Sequence, residues 1–501
     1  MTSEKAHEAP PAGDGSVGAN KPNDLEQGPR DSDSTPEPTK DPNVVDWDGP
    51  ADPANPRNWS KSWKLINIGL ISASVLCCNL ATTMFAPGAT VMERDFGFHN
   101  STVEVLTITI ASLGFVVGSL IVAPLSEIIG RIPIYRVSGF LYLGFTVGCA
   151  QSVNVGMFLA FRLLTGAAGA CYMTTGGGTI ADLLPKDERG TAMALFTVGP
   201  LLGPVIGPIV GGFVTQDLGW QWTFYLILIL FASVYIPSFI FMRETSSVAI
   251  LKAKATRLRK ETGNSDLLAV GEKKVPFSKL LAQALIRPAT FLIKSPILVI
   301  LALYIAFVFG TSMLFFATFP LVYTNVYHWS IGISGLSYLG VGFGCAIGVV
   351  TFAKLSDRLL RSAEGEYKAE RRLLLMMYLS PTVPIGTFIY GWTTEYGVHW
   401  IVPMIGTAIA GVGVVTITSS SQTYIIDIFG PLGAASALSA VTILRNIMGS
   451  FLPLASAGLY KNLGLGWGNS VLAFVATAFI AVPFALYWKG EKLRKRFPVV
   501  V

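Results

Sequence analysis

Charged residues are scarce in this chain of 501 amino acids. Asp, Glu, Lys and Arg make up only 14% of it, whereas hydrophobic residues make up 51% and the mean hydropathy is +0.54. These values lie outside the range of ordinary soluble proteins. The apolar residues also fall in continuous blocks instead of amphipathic periods, which indicates helices surrounded by lipid. The composition therefore argues against a soluble globular protein.

Histidine and cysteine are also rare, and their placement argues against a metal centre. The four histidines fall in the first tail or in predicted connections between helices, and all five cysteines fall inside predicted spans. Cysteines placed in this way are packing residues rather than disulfide partners or metal ligands. An enzyme working inside the membrane would need clusters of histidine or carboxylate there. We therefore predict that the protein is not an enzyme and binds no metal or cofactor.

The first sixty residues are polar and lack the apolar core of a cleavable signal peptide. Residues 1–58 carry 5 Lys or Arg and 12 Asp or Glu, and they are rich in Pro, Gly and Ser. This composition predicts a disordered acidic tail over residues 1–62. The rest of the chain carries 32 Lys or Arg and 19 Asp or Glu, so the basic excess accompanies the apolar blocks.

Apolar blocks of about 18–25 residues, the length that crosses the hydrocarbon core of a bilayer, occur twelve times. They lie near residues 65–87, 103–124, 133–150, 156–180, 191–214, 222–242, 295–321, 333–353, 373–391, 400–422, 434–459 and 468–488. A basic linker at 243–294 separates the first six from the last six, and a basic tail follows at 489–501. We predict an all-α membrane protein of twelve helices in two six-helix bundles, at 63–242 and 295–488.

Basic residues are distributed unevenly between the two sets of connections. One set holds only Arg94 and Lys461, whereas the other set holds nearly all the remaining Lys and Arg. The positive-inside rule therefore predicts that both termini are cytosolic. Because the basic clusters sit beside spans, they do not indicate binding to nucleic acid. Asn100 begins a glycosylation sequon on the predicted outer side, but it lies too close to the second span for us to predict glycosylation.

Two short loops repeat one pattern at the same place in each six-span unit. Residues 123–131 and 353–361 each hold Leu-Ser-acid, followed four residues after the acid by arginine. The repeat indicates a duplication and predicts pseudo-symmetric bundles. An acid at a span end can pair with arginine or cap a helix, which predicts a latch on the cytosolic side, with two ordinary polar loops as the alternative. The latch candidates are Glu127, Gly130, Arg131, Asp357 and Arg361.

The fifth span carries proline and glycine at regular spacing. Three prolines would be unfavourable in a soluble helix, because each removes a donor and clashes with the preceding turn. Neighbouring helices compensate for this inside a bilayer, and glycine at every fourth position allows close helix packing. A bent, tightly packed helix indicates a protein that moves, so we predict a role in gating. The residues are Gly199, Pro200, Gly203, Pro204, Gly207, Pro208, Gly211 and Gly212.

Four features of the chain match patterns of one known family. The loop at 123–136 is similar to the signature Gly-x-Leu-x-Asp-x-x-Gly-Arg, and residues 162–166 are similar to an Arg-x-x-x-Gly element of the fourth span. Residues 199–212 are similar to an antiporter signature of the fifth span. Residues 45–60 are similar to the segment that precedes the first span in the fungal proteins of this family. Together they resemble the major facilitator superfamily, in its fungal twelve-span drug:proton antiporter branch. The loop departs from the signature at Ala123, Glu127 and Ile132.

The resemblance implies two bundles that rock about a central site and give each side of the membrane access in turn. It also implies coupling to protons, which needs a group that titrates as access alternates. The candidates for proton coupling are Arg162, Asp182 and Glu104. Many relatives place a carboxylate in the first span, whereas this chain does not, so proton coupling follows from the resemblance alone. An ordinary span-end charge is an equal alternative for Asp182.

Two arginines lie inside predicted spans, Arg162 in the fourth and Arg445 in the eleventh. An arginine at the centre of a span costs about 2.5–3.5 kcal/mol on insertion scales and is by default functional. For Arg162 the resemblance implies a role in proton coupling or in the electrostatics of the cavity. Fixation by carbonyl groups of a neighbouring bent helix is the alternative. For Arg445 the sequence offers no partner, and both kinds of role stay open.

In the superfamily that the chain resembles, spans 1, 4, 7 and 10 line the cavity. Aromatic rings with scattered hydroxyl groups suit an amphipathic, ring-bearing ligand, although rings in spans also serve packing or face lipid. The lack of an intramembrane acid cluster favours neutral or anionic molecules over polyamines. The candidates for substrate contact are Asn79, Thr83, Arg162, Tyr172, Tyr304, Thr311, Phe315, Gln422 and Arg445.

We predict a secondary active transporter that exports drugs, toxins or self-made secondary metabolites across the plasma membrane by proton antiport, as a monomer. The vacuolar membrane is the alternative location. An importer of a polyamine, vitamin or sugar derivative is the nearest rival, and the signature of the fifth span argues against it. A non-transporting sensor is a further rival, but a sensor would usually carry a long folded cytosolic extension.

Overall fold

The computed structural model describes residues 43–185, 188–270, 277–361 and 369–497. Long apolar blocks form helices there, because a helix satisfies its own backbone polar groups. The α-helices in these ranges, α1 to α17, are Lys61–Thr83, Ala89–Phe96, Ser101–Ile129, Arg131–Ala150, Val155–Leu183, Arg189–Leu218, Gln221–Phe241, Ser247–Thr262, Phe277–Lys294, Pro296–Tyr327, Ile331–Ser334, Tyr338–Arg361, Leu374–Leu379, Thr382–Glu395, Ile401–Phe451, Ala455–Phe479 and Ala481–Arg496. Short 3-10 helices are Pro56–Asn58, Ala86–Gly88, Gly335–Ser337, Ala369–Leu373 and Leu452–Leu454, and strands β1 and β2 are Val44–Val45 and Leu268–Ala269.

Eleven segments of the described chain are long and apolar enough to cross a bilayer. The last of them, Gly433–Arg496, has 64 residues, which is about 96 Å of helix and three times the hydrocarbon thickness. It divides at Gly464, where φ is 74°, and a Cβ on Gly468 would lie 3.5 Å from the carbonyl carbon of Leu459. In a straight helix these residues would be about 13 Å apart, so the chain folds back and crosses once more. The prediction of twelve helices is confirmed.

The two halves of the fold repeat the same helix contacts. In the first half, Gly114 and Gly118 of α3 lie directly against backbone carbonyls of α5. In the second half, Gly340 and Gly344 of α12 lie in the same way against backbone carbonyls of α15. Small residues permit this close approach of two backbones. Because the contact joins the second and fourth spans of each half, the predicted pseudo-symmetry is confirmed.

Helix α6 holds three prolines and is still one helix over Arg189–Leu218. Its glycine stripe packs on α1 of the same half. A Cβ on Gly203 would lie 2.6 Å from the Cβ of Asn79, and a Cβ on Gly207 would lie 2.8 Å from the carbonyl oxygen of Leu80. The stripe therefore joins two helices within the first half, and a different face of α6 meets the second half.

The linker between the halves holds α8, β2 and α9. Strand β1, which precedes α1, pairs in parallel with β2. Lys254 of α8 donates to the carbonyl oxygen of Asp46 at 2.9 Å and pairs with the Asp48 carboxylate at 2.6 Å. The last part of the predicted tail, residues 43–60, is thus connected to the linker, whereas residues 1–42 of that tail lie outside the described residues.

Candidate functional site

The two halves contact each other at the end of the molecule opposite the linker. The Thr109 hydroxyl of α3 donates to the carbonyl oxygen of Ser450 in α15 at 3.1 Å, and the Ser450 hydroxyl donates to the Thr109 carbonyl at 3.3 Å. The N–H of Gly332 donates to the Gln216 side chain of α6 at 3.1 Å. Because buried polar groups need partners, these reciprocal bonds hold the halves together at this end. We name this contact the far-end seal.

Arg162 of α5 lies where three helices of the first half meet and is 1% exposed. Its guanidinium donates to four backbone carbonyls at 3.0–3.2 Å. They belong to Ala81 and Thr82 of α1 and to Thr107 and Ile108 of α3. Carbonyls in the last turn of a helix have no partner within it, and α1 ends at Thr83. Arg162 therefore ties the end of α1 to α3, which corresponds to fixation by carbonyl groups.

Aromatic rings cover Arg162 at the far end of the first half. The centroids of Phe85 and Phe224 lie 5.8 and 5.7 Å from its guanidinium carbon. Trp220 packs edge-on against Phe85 at 5.9 Å and donates from its indole N–H to the Asp95 carboxylate at 2.9 Å. Rings at this distance attract a cation and exclude water from it. The charge of Arg162 is thus held in a closed protein environment.

Arg445 of α15 has a different environment. Its guanidinium carbon lies 4.7 Å from the ring centroid of Phe309 in α10. Its Nε is buried without a hydrogen-bond partner, and within the described ranges its guanidinium makes no ion pair. Arg445 lies five residues before Ser450, about 7 Å along the helix axis. It is therefore close to the far-end seal, on the linker side of it.

Phe309 and Met313 of α10 keep accessible surface close to Arg445. Every other side chain of α10 between Tyr304 and Pro320 is buried, whereas these two are half-buried. They lie one turn apart on the same face of the helix. A Cβ on Gly449 of α15 would lie 2.7 Å from the Phe309 ring and 3.4 Å from the Met313 side chain. Sequence reasoning missed both residues, because only tertiary packing decides which side chains of a mostly buried helix keep accessible surface.

Several predicted cavity residues are buried inside their own half. Tyr172 stacks on Tyr135 with centroids 5.4 Å apart, and Tyr304 stacks on Phe479 with centroids 5.0 Å apart. Phe315 packs edge-on against a tyrosine of α14 at 5.0 Å. Aromatic pairs of this kind contribute to core packing. The predicted cavity residues that are buried in this conformation are Thr83, Arg162, Tyr172, Tyr304, Thr311 and Phe315.

Asn79, Gln422 and Arg445 are the predicted cavity residues that keep accessible surface, each being half-buried. The Asn79 amide donates to the carbonyl oxygen of Val75 one turn earlier at 2.8 Å, and its amide oxygen stays available. Gln422 lies on the first part of α15 and Arg445 on its last part. These side chains offer hydrogen-bonding groups on spans of both halves, as an amphipathic ligand requires.

Arg131 forms the main polar network at the linker end of the first half. Its Nε pairs with Asp182 of α5 at 3.3 Å, and its Nη1 donates to the Ser126 hydroxyl at 2.7 Å. The Glu244 carboxylate accepts hydrogen bonds at 2.8 and 3.0 Å from the first two backbone N–H groups of α4, where a negative charge is favourable. Glu127 is exposed and forms no ion pair with any residue that the structure describes.

Gly130 makes the turn into α4 possible. Its φ is 105°, a conformation that side chains other than glycine rarely adopt. A Cβ there would also lie 2.6 Å from the Glu244 carboxylate. The side chains of Asp357 and Arg361 lie outside the described residues, so the part of the predicted latch in the second half stays a prediction.

The second half contains a corresponding network, which sequence reasoning missed. Arg372, at the start of the ninth span, pairs with Asp427, at the end of the tenth, at 3.1 Å. Glu370 pairs with Arg494 of α17 at 3.0 Å. The first pair joins the same two spans of its half as the Arg131 pair does. The duplication could have predicted this pair, because it places the start of the ninth span beside the end of the tenth span in the same way as the third and fourth spans of the first half.

The two carboxyl candidates for proton coupling lie at opposite ends of the first half. Glu104 is 5% exposed in the first turn of α3 and pairs with no basic side chain in the described part of the chain. Asp182 lies at the linker end and pairs with Arg131. No described contact joins either carboxyl to Arg162. Their role in proton coupling stays a prediction.

Two repeated six-helix halves that meet at one end, with polar groups at their boundary, define the architecture of secondary transporters. The profile of the Major Facilitator Superfamily matches residues 71–453. The chain belongs to this superfamily, and it is a multi-pass membrane transporter rather than an enzyme.

Curated fungal transporters resemble the chain over nearly its whole length. MFS transporter fsa7 of Fusarium sp. (strain FN080326) is 48% identical over 97% of this chain and 96% of its own length. MFS transporter prlG of a fungal species (strain NRRL 50135) is 50% identical over 93% and 99%. The trichosetin biosynthesis cluster MFS transporter of Gibberella fujikuroi is 47% identical over 92% and 91%.

Solved transporter structures share the fold at low sequence identity. A D-xylose-proton symporter superposes with a TM-score of 0.63 at 16% identity, covering 86% of this chain and 98% of the symporter. A bacterial homologue of the human lysosomal transporter Spinster gives 0.61 at 14%, covering 88% and 100%. At these identities the likeness establishes the fold, and the substrates of those proteins are not transferred.

Proposed function

We propose that this protein exports small amphipathic organic molecules, self-made secondary metabolites above all, by alternating access coupled to proton antiport. The observation that carries the proposal is the near-full-length similarity to fungal transporters, one of which is named for the trichosetin biosynthesis cluster. The described residues contain no group of three or more His, Cys, Asp or Glu that could hold a metal ion, and the half-buried donors at the boundary suit a neutral or anionic solute.

The transport cycle that we propose exchanges contacts at the two ends of the molecule. The far-end seal breaks when the site opens to the outside, and the latch of Glu127, Arg131, Asp357 and Arg361 forms at the linker end. In the present conformation Arg131 pairs with Asp182 instead. Release of a proton from Asp182 to the cytosol would strengthen that pair and hold the linker end open, which is one way to couple inward proton movement to the return step of antiport. Glu104 is the alternative proton carrier.

We propose the plasma membrane as the location, with both termini cytosolic and a single chain as the working unit. The basic residues of the linker and of the end of α17 favour this orientation. Epitopes at the two termini should both become accessible to antibody only after the cell membrane is permeabilised. Staining of either epitope on intact cells would contradict the orientation.

Transport is tested in inside-out plasma-membrane vesicles from yeast that express the chain, with trichosetin as the probe. An acidic vesicle lumen should drive uptake of trichosetin into the lumen, and a proton ionophore should abolish it. Vesicles without the chain are the control. Equal uptake with and without the pH gradient would refute antiport. Uptake no greater than in the control vesicles would refute export of this kind of molecule. Accumulation of the probe by intact cells that express the chain would favour an importer.

A further inference from the structure

Among the residues that the structure describes, Arg445 has no hydrogen-bond acceptor and no counter-charge. A guanidinium has five N–H donors, yet none of those of Arg445 donates to a protein atom within the described ranges, and its Nε is buried without a partner. Arg162, in contrast, donates to four carbonyls. The side chain of Arg445 is half-buried, and partial burial of a cation without a counter-charge is unfavourable. An anion from outside the chain would supply the missing partner.

The position of Arg445 places it where a transported solute would stop. It lies on the linker side of the far-end seal, about 7 Å from Ser450 along the helix. Phe309 and Met313, the two half-buried side chains in an otherwise buried stretch of α10, lie beside it. A solute that enters between the halves from the linker end would therefore reach the guanidinium of Arg445, the ring of Phe309 and the thioether of Met313 just before the far-end seal.

We propose that Arg445, positioned by Phe309, binds the anionic group of the exported molecule, which is then an organic acid such as a carboxylate joined to an apolar ring or chain. This inference rests on the proposed function and specifies its substrate class. The planar guanidinium offers two parallel N–H donors that match a pair of oxygen atoms. Stacking on Phe309 fixes the plane of the fork, and Met313 provides an adaptable apolar surface for the rest of the solute.

Thermal stability separates this role from a structural one. Arg445→Met removes an unpaired cation and keeps a side chain of similar length, so the apparent melting temperature should stay the same or rise. Arg162→Met removes four hydrogen bonds to carbonyls, so its melting temperature should fall. If Arg445 were a structural residue, both variants would lose stability.

The binding test uses the purified full chain in lipid nanodiscs and two matched probes, 1-pyrenebutyrate and the neutral 1-pyrenebutyramide. The parent protein should bind the carboxylate about tenfold or more tightly than the amide, because a charge-assisted bond distinguishes them. Arg445→Met should remove this preference, because it weakens binding of the carboxylate much more than binding of the amide. Arg445→Lys should keep part of it, since an ammonium retains the charge but not the planar fork.

The inference is overturned if the parent protein shows no preference for the carboxylate, or if it binds neither probe. It is also overturned if Arg445→Met weakens binding of the two probes equally, or if this variant unfolds at as low a temperature as Arg162→Met. The vesicle assay keeps the two proposals apart. Export of trichosetin without a charge preference would refute only the anion subsite, whereas a charge preference without any export would refute the proposed function.

Discussion

Substitution of Gly203 in α6 tests whether close packing of α1 on α6 is required for the fold and for transport. A Cβ on Gly203 would lie 2.6 Å from the Cβ of Asn79 and 2.8–2.9 Å from backbone atoms of Asn79 and Leu80. Non-bonded carbon atoms rest about 3.5–4.0 Å apart, so the two helices would have to separate by about 1 Å. Backbone atoms cannot rotate aside, and overpacking of this kind costs about 1–3 kcal/mol for a small insertion.

We therefore expect Gly203→Ala to lower the free energy of unfolding by about 1–3 kcal/mol, and Gly203→Leu to lower it further and to abolish export while membrane insertion continues. Gly144 is the matched control, because it lies in a span and a Cβ there would meet nothing within 4 Å. Thermal unfolding of the purified proteins and trichosetin uptake into vesicles measure the two effects. Equal unfolding temperatures for Gly203→Ala and Gly144→Ala, or parental export by Gly203→Leu, would refute the reasoning.

Three further predictions concern other contacts. Arg162→Met should lower the free energy of unfolding by about 3 kcal/mol or more, because charged hydrogen bonds to carbonyls of two helices are lost. A variant with the same free energy of unfolding as the parent protein would contradict this prediction. A double-mutant cycle of Arg372→Gln and Asp427→Asn should give a coupling energy of about 0.5–1 kcal/mol, since the pair is partly exposed, and simple additivity would count against it. Val45 is 7% exposed and packs among apolar residues of the linker, whereas Val44 is 41% exposed. A buried charge at Val45 would disrupt this packing, so Val45→Asp should speed proteolysis of the linker and Val44→Asp should not.

The helical architecture was predictable because it depends on local properties of the chain. An apolar block long enough to cross a bilayer must form a helix, since no water is present to satisfy its backbone. The duplication was readable from the repeated loops at 123–131 and 353–361, and the packing role of the glycine stripe from its spacing. Its partner was not readable, because spacing along α6 does not reveal which neighbouring helix faces the glycines.

The candidate site was predictable only in part. Arg162 and Arg445 stood out equally in the sequence, as arginines inside apolar spans. Only the packing separates them, because Arg162 donates to four carbonyls of two other helices, whereas Arg445 donates to no acceptor in the described part of the chain. The aromatic residues were harder still, since a ring in a span looks the same in the sequence whether it is buried in a core, as Tyr304 is, or keeps accessible surface, as Phe309 does.

By itself, the sequence determined that this protein is a duplicated bundle of twelve apolar helices with a positively charged linker, because hydropathy, charge and repeats are properties of consecutive residues. The tertiary structure alone decided at which end the halves meet and which of the two arginines donates to backbone carbonyls. Those outcomes depend on carbonyls, rings and glycines hundreds of positions apart, such as Thr109 and Ser450, and only helix packing brings such groups within hydrogen-bonding distance.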